Sequence, residues 1–149
     1  MKLPVLILIA SSAFAQEGVT VNLKALFADY KKKVVAIAGA FKPEDMDFKP
    51  TPAVMSVREI VTHVGDANYS LCAQMKGEAK PKPVGTLAES FDYCLAAIDA
   101  VDGKMAEKTK ARVPRDKGFI ALHLLEHTAL HYGNLVTYVR IKGMAPPKE

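Results

Sequence analysis

The most regular feature of the sequence is an apolar stripe between Leu87 and Met105. Its members recur at intervals of four, three, four, three and four residues: Leu87, Phe91, Cys94, Ile98, Val101 and Met105. Because a helix turns once in 3.6 residues, side chains at this spacing share one face. Such regularity is typical of a helix packed lengthwise in a bundle. Thr86 and Glu89 form a capping box at its start, and we expect the helix to end around Lys110.

Three further segments have the same helical periodicity. The first extends from about Thr20, the second starts at the capping box of Ser56 and Glu59, and the last covers residues 119–142 with Asp116 as its expected cap. Their apolar faces are Leu23, Leu26, Phe27, Tyr30, Val34, Ile37 and Phe41; Val57, Ile60, Val64, Ala67, Leu71 and Met75; and Ile120, Leu124, His127, His131, Leu135 and Tyr138. Prolines and glycines separate the segments: Pro43, Pro50, Pro52, Gly77, Pro114 and Gly143. No strand pattern competes, so the sequence predicts an all-α four-helix bundle.

The N-terminus has the features of an export signal. Lys2 precedes an apolar run over residues 3–10, and Ala13-Phe14-Ala15 is a small-x-small cleavage site. We therefore expect a cleaved signal peptide at 1–15, one domain at 16–149, and an exported protein, periplasmic or secreted. The run is too short for a stable membrane span once the signal is cleaved. A buried N-terminal helix and an uncleaved anchor are the alternatives.

The charge pattern argues against a nucleic-acid partner. The net charge is only +4, the lysines are scattered, and the chain has no tryptophan to stack on bases.

Histidines occupy positions where a core would favour leucine. His123, His127 and His131 recur every four residues in the last helix, and the latter two lie on its apolar stripe. His63 flanks the stripe of the second helix, so it can face the same interior. Three neutral imidazoles with open positions suit a divalent transition metal, Zn²⁺ or Ni²⁺, and their nearest nitrogens should then lie about 3–4 Å apart. Hydrogen-bonded core histidines are the alternative.

Two motifs resemble the DinB family: Ser56-x-x-Glu59-Ile-Val-x-His63, and His127-x-x-x-His131-Tyr-Gly-Asn-Leu-Val-x-Tyr-x-Arg140-x-x-Gly143. The resemblance extends over essentially the whole chain after the signal. It implies an up-down-down-up bundle with a divalent metal on His63, His127 and His131. It also implies kinship with thiol-dependent S-transferases and isomerases, and it does not imply DNA binding.

Several polar and aromatic residues lie near this motif in sequence. His123 is not marked by the resemblance, and we expect it at a rim or in solvent. The others have two interpretations each: Asp66 and Asn134 orient an imidazole or are ordinary surface groups, whereas Tyr69, Tyr132 and Tyr138 line a pocket or belong to the core. Arg140 is expected to be a favourable charge at a helix C-terminus.

Cys72 and Cys94 are the only cysteines. Export and an even count favour a disulfide. In the parallel arrangement that the resemblance implies, however, the two cysteines are offset by about 12 Å unless the third helix starts further along the second. Two buried thiols are the alternative.

These features give three hypotheses for function. The first is an exported DinB-like metalloprotein, a metal-dependent hydrolase or thiol S-transferase-like enzyme acting on an unidentified small molecule. The second is a non-catalytic metal- or ligand-binding bundle, with a homodimer through one helix face as an option. The third is a structural bundle whose histidines are core residues.

Overall fold

The computed structural model describes residues 6–82 and 85–148, with side chains from Asn22 onward. Four α-helices lie within these residues: α1 Leu6–Gly39, α2 Val57–Lys76, α3 Leu87–Ala100 and α4 Lys117–Ile141. A short 3₁₀ helix, Pro43–Asp45, follows α1. No strand is found in this part of the chain, where a single bridge joins Lys108 to Asp116. The all-α four-helix prediction is confirmed.

The first helix begins earlier than the apolar pattern indicated. We expected it from about Thr20, whereas its backbone is helical from Leu6, across the predicted cleavage site after Ala15. Residues 1–5, and the side chains as far as Val21, lie outside the described part. The signal peptide at 1–15 therefore stays a prediction. Among the helices as described, none is both long and apolar enough to cross a membrane.

The predicted starts of α2 and α3 are confirmed in atomic detail. The Ser56 hydroxyl accepts a hydrogen bond from the Glu59 backbone N–H at 3.1 Å, and the Glu59 carboxylate accepts one from the Ser56 N–H at 2.6 Å. Thr86 and Glu89 form the same reciprocal pair. Each box satisfies N–H groups that a helix start would otherwise leave unpaired. At its other end α2 stops at Gly77, whose φ of 75° favours glycine.

The third helix is shorter than predicted. It ends at Ala100 and not near Lys110, and the chain turns at Gly103, where φ is +68°. Met105 is nevertheless buried in the hydrophobic core, and its carbonyl accepts the Gly118 N–H at the start of α4. The apolar periodicity beyond the helix end thus reflects a loop that folds back onto the core.

The second and third helices are parallel and offset along the bundle. Asn68 Nδ2 donates to Ser90 Oγ at 3.0 Å, and Cys72 is bonded to Cys94, so both pairs share a sequence offset of 22 (90 − 68 and 94 − 72). By that offset, Leu87 at the start of α3 is level with Gly65, two turns into α2. The connection must therefore return about 17 Å, and ten residues reach about 33 Å. This shift cancels the expected cysteine offset.

Of the three other neighbouring pairs, α1–α3 and α2–α4 are antiparallel, and α1–α4 is therefore parallel. Lys24 pairs with Asp99 and Lys31 with Asp92, which places α1 and α3 in opposite directions. Residues early in α2 face residues late in α4, as the Tyr138 hydroxyl shows by donating to the Met55 carbonyl at 2.8 Å. The helices therefore follow the up-down-down-up order, with α1 diagonal to α2 and α3 diagonal to α4.

The buried face of α2 differs from the predicted stripe in its second half. Ala67 and Leu71 are only half-buried, whereas Asn68 and Cys72 are fully buried. The reason is that α2 packs on both α3 and α4, so its buried face is wider than one stripe and turns toward α3 at these positions. The Asn68 amide accordingly bonds a side chain of α3.

Candidate metal centre

Three of the four histidines come together between α2 and α4. His63 lies two turns into α2, and His127 and His131 lie one turn apart in the middle of α4. Their ring centroids are 4.9 Å apart for His63–His127, 4.9 Å for His63–His131 and 4.5 Å for His127–His131. Because α2 and α4 are antiparallel neighbours, the level of His63 falls between the two histidines of α4.

The ring nitrogens are spaced for one metal ion. His63 Nε2 and His127 Nε2 are 2.9 Å apart, and one ligand atom from each histidine lies within 4.8 Å of the others. Ligands about 2.0–2.1 Å from an ion in tetrahedral geometry are about 3.4 Å apart. The predicted separation of 3–4 Å lies between the observed 2.9 Å and the 4.8 Å limit. Small ring rotations would therefore bring all three nitrogens to ligand distance. These histidines could hold a metal ion.

Burial is graded across the cluster. His131 is only 5% exposed, His127 is half-buried and His63 is exposed. The predicted inward orientation of His63 holds only in part, since it lies at the edge of the interface and reaches His127 from there. The cluster is thus walled by the bundle on the His131 side and open on the His63 side.

The two α4 histidines are held in the form that binds metals. Burial, followed by the neighbouring His131 and His63, lowers the pKa of His127 to about 4. Burial, followed by His63, also lowers the pKa of His131. Both rings are therefore neutral at neutral pH, with a lone pair available to an ion.

The second ring nitrogens have different surroundings. Asn134 Nδ2 approaches His131 Nδ1 at 3.5 Å, a long contact one turn along α4. It agrees with the interpretation of Asn134 as a group that orients an imidazole. His127 Nδ1 is buried and has no hydrogen-bond partner among the described residues. The other ring nitrogen, His127 Nε2, is therefore the one with a polar neighbour, His63 Nε2.

His123 lies outside the cluster, as expected. Its ring stacks on Phe119 with centroids 6.2 Å apart, and its Nδ1 pairs with Glu126 Oε2 at 3.2 Å. Its centroid is 6.2 Å from that of His127, and it does not join the group of nitrogens that converge. The four-residue repeat alone could not separate His123 from the other two.

The remaining neighbours in sequence have structural contacts. The Asp66 carboxylate pairs with Lys80 of the α2–α3 connection and so acts as a surface group. The tyrosines pack against other elements: Tyr69 on Tyr93, Tyr132 on Tyr30, and Tyr138 on Phe48. Arg140 lies in the last turn of α4, as predicted.

The buried polar residue Asn68 was missed by the sequence reasoning. Asn68 is completely buried and donates to Ser90, and its backbone carbonyl oxygen lies 3.2 Å from Cys94 Sγ of the disulfide. The only sequence signal was its position one residue after Ala67, which belongs to the predicted stripe. Asn68 helps to fix the offset of α3, and through it the shape of the bundle around the histidines.

The metal-free protein should lose stability in mild acid. The ordinary histidine pKa of 6.5 applies in the unfolded chain, whereas that of folded His127 is about 4. Between these values the unfolded state binds more protons, so the free energy of unfolding falls as the pH drops from 6.5 to 4. After allowance for solvent screening we expect a loss on the order of 2 kcal/mol. Urea denaturation of chelator-treated protein at stepped pH measures it, and His127→Gln should flatten the slope.

The fold and the site together define a class: a four-helix bundle with a three-histidine cluster between its second and fourth helices. The family model described as the DinB superfamily matches residues 31–135. The chain belongs to the DinB superfamily, and the match spans α2, α3 and most of α4.

A solved structure has the same fold. The crystal structure of a DinB-like protein, YjoA, from Bacillus subtilis is similar with a TM-score of 0.71 and 18% sequence identity. The similarity covers 85% of this chain and 96% of that chain. The comparison with curated proteins finds no match.

Proposed function

We propose that the protein is a metalloprotein that binds one divalent transition ion through His63, His127 and His131. The observation that supports this most directly is the 2.9 Å approach of His63 Nε2 and His127 Nε2, with His131 in the same group. Three imidazoles from two helices converge, and no carboxylate or hydroxyl bonds them in the described part of the chain. Their polar contacts are the one between His63 and His127 and the long one from Asn134 to His131.

The donor set favours Zn²⁺ or Ni²⁺. Three neutral nitrogens form a borderline-soft site, whereas Ca²⁺ and Mg²⁺ prefer several oxygen ligands. The low pKa of His127, about 4, leaves that nitrogen free of competing protons over the physiological range.

A catalytic role fits the open side of the cluster. Three protein ligands leave coordination positions free, and His63 is exposed, so a small molecule could approach from solvent. A divalent ion there supplies Lewis acidity, which activates a nucleophile or polarises a substrate. We propose a metal-dependent hydrolase or a thiol S-transferase-like enzyme; both use this chemistry.

A non-catalytic metal- or ligand-binding bundle is the second candidate. It is favoured because the two nearby carboxylates that could act as a general base are already paired. Asp66 pairs with Lys80, and Glu126 pairs with His123. Neither contacts a histidine of the cluster in the described part of the chain. Turnover by metal-loaded protein on panels of small esters, amides and thiol–electrophile pairs distinguishes the two candidates.

Protein purified without a histidine tag should contain close to one Zn or Ni per chain. Elemental analysis by plasma mass spectrometry measures the stoichiometry, and chelator treatment followed by titration measures reloading. A protein that purifies without metal and does not take up either ion would rule out the metal site.

The mature protein is proposed to act outside the cytosol. The N-terminal pattern of residues 1–15 motivates this, and the Cys72–Cys94 disulfide supports it, because such bonds persist in oxidising compartments. Cleavage after Ala15 would leave Gln16 first. Intact-mass spectrometry of the protein from a periplasmic or culture fraction tests this, and an uncleaved chain confined to the cytosol would contradict it.

A further inference from the structure

The connection between α3 and α4 contains a hairpin that is held at its base. Lys108 and Asp116 are joined by a backbone bridge, and their side chains form an ion pair at 2.8 Å. The Thr109 N–H donates to the Arg115 carbonyl at 2.8 Å, and the Arg115 N–H donates to the Thr109 hydroxyl at 3.2 Å. Thr109 is only 4% exposed, so the base is anchored in the protein. Residues 110–114 lie between the paired positions and are called the hairpin tip below.

An apolar side chain is exposed at the hairpin tip. Val113 is 65% exposed, more than any other large apolar residue in the described part of the chain. Its neighbours Arg112 and Pro114 are exposed as well. Phe119, in the first turn of α4, is 48% exposed, and the Arg115 guanidinium lies 4.9 Å from its ring centroid. Arg115 therefore connects Phe119 to the hairpin, and exposed apolar side chains lie beside cations on this surface.

The segment that contains the hairpin is strongly basic. Residues 104–117 have six cationic and two anionic side chains, so their net charge is +4 (6 − 2), the same as that of the whole chain. Both acids are already paired, Asp116 with Lys108 and Glu107 with Lys117. No carboxylate in the described part of the chain pairs with the other four cations, which are Lys104, Lys110, Arg112 and Arg115. These four charges are available to an external anion.

We propose that the hairpin tip docks the protein on the surface of an anionic phospholipid bilayer. Val113 enters the headgroup region, and Lys110 and Arg112 on the same tip bind lipid phosphates. Phe119 and Arg115 extend the contact toward the start of α4. At such a surface the binding strength is the sum of the apolar area that is buried and the attraction of cations to anionic lipids. The hairpin tip supplies both contributions from five consecutive residues.

Shape and chemistry favour a bilayer over other anionic partners. A stable protein interface buries about 800 Å² on each side, and a tip of five residues is too small to provide that area. Single-stranded nucleic acid needs aromatic side chains to stack on, whereas the apolar residues of the tip are alanine, valine and proline. A small anion would need donors that converge on one point, but the cations here surround an exposed apolar side chain.

The hairpin lies at the end of the bundle where α1 begins. Lys24 of α1 pairs with Asp99 in the last turn of α3, so the chain before Lys24 and the α3–α4 connection are at the same end. The expected export signal at residues 1–15 precedes this end of α1. In the proposed export, the signal therefore brings the end that carries the hairpin tip to the membrane.

The test is flotation of the purified protein with vesicles of phosphatidylcholine alone, or of phosphatidylcholine and phosphatidylglycerol in equal parts. We expect binding to the mixed vesicles at least about tenfold stronger than to the neutral ones, and weaker binding as salt is added. Arg112→Glu changes the charge of the tip by two units and should lower the partition coefficient about 25-fold, because each unit contributes about fivefold. Val113→Ser should lower it about fivefold by removing apolar area.

Arg140→Glu is the matched control. It makes the same charge change at an exposed position in the last turn of α4, at the opposite end of the bundle, and should leave vesicle binding close to that of the native protein. Circular dichroism checks that all three variants fold, which is expected because each replaced side chain is exposed.

Four results would overturn the proposal. They are a native protein that binds neither kind of vesicle, equal binding to both kinds, an Arg112→Glu variant that binds no more weakly than Arg140→Glu, and binding that Val113→Ser leaves unchanged. Attachment through the apolar run at residues 3–10 would be recognised in this way, because it would depend neither on the lipid charge nor on the hairpin variants.

Discussion

Replacing His131 with alanine is expected to lower metal affinity at least a hundredfold. His131 is the most buried of the three clustered histidines, and its ring lies 4.5 Å from that of His127 and 4.9 Å from that of His63. Loss of an outer partner of a metal ligand already costs 10- to 100-fold in affinity, and the loss of a ligand must cost more. Isothermal titration of metal-free protein with Zn²⁺ or Ni²⁺ gives the value.

Two further variants show whether the loss of metal affinity is specific to the three clustered histidines. His63→Ala removes a proposed ligand that is exposed, so it should lower affinity similarly without leaving a cavity in the core. His123→Ala removes a histidine one turn away that is 46% exposed by side chain and pairs with Glu126, and metal binding should be unchanged. If His123→Ala and His131→Ala weakened binding equally, the choice of ligands would be wrong.

The features that follow local rules could be predicted from sequence. Ser56 and Thr86 start their helices because the hydroxyl and the acid three residues later satisfy adjacent N–H groups. Gly77 ends α2 because its φ is positive. His127 and His131 meet because four-residue spacing on any helix brings them together. None of these requires knowledge of the rest of the molecule.

The features that depend on neighbouring helices could not be predicted in the same way. The apolar spacing continues through Val101 and Met105, so it gives no sign that α3 has ended at Ala100. Burial of Asn68 follows from the contact with α3, which its own helix does not reveal. The exposure of His63 depends on how far α4 covers the edge of α2. Tertiary packing decides each of these.

Whether Cys72 and Cys94 are bonded is the clearest example. Export favoured the bond, whereas the axial offset expected for two parallel helices opposed it. The start of α3, two turns along α2, reconciles them, since the Cα atoms are then 5.2 Å apart. That start depends on the length and path of residues 77–86, where Lys80 is held by Asp66 on α2. Sequence spacing does not specify such a path.

Breaking this disulfide is expected to cost about 3 kcal/mol of stability. The cysteines are 22 residues apart, and closing a loop of that length removes chain entropy from the unfolded state by about this amount. The melting temperature should fall by about 10 °C. Urea denaturation of the native protein with and without reductant measures the difference on an unchanged sequence. Thiol titration of the denatured, unreduced protein checks the bond, and two reactive thiols per chain would contradict it.

Reduction should leave the metal centre in place. The disulfide joins α2 to α3, whereas the histidines join α2 to α4, and the Asn68–Ser90 hydrogen bond remains to hold the offset of α3. Cross-links whose residues are far apart and do not contact one another act nearly additively on stability, even when they share a helix. The losses from reduction and from chelation should therefore sum to within about 0.5 kcal/mol in a four-state comparison. A strongly non-additive result would show that the offset of α3 and the geometry of the histidines are coupled through α2.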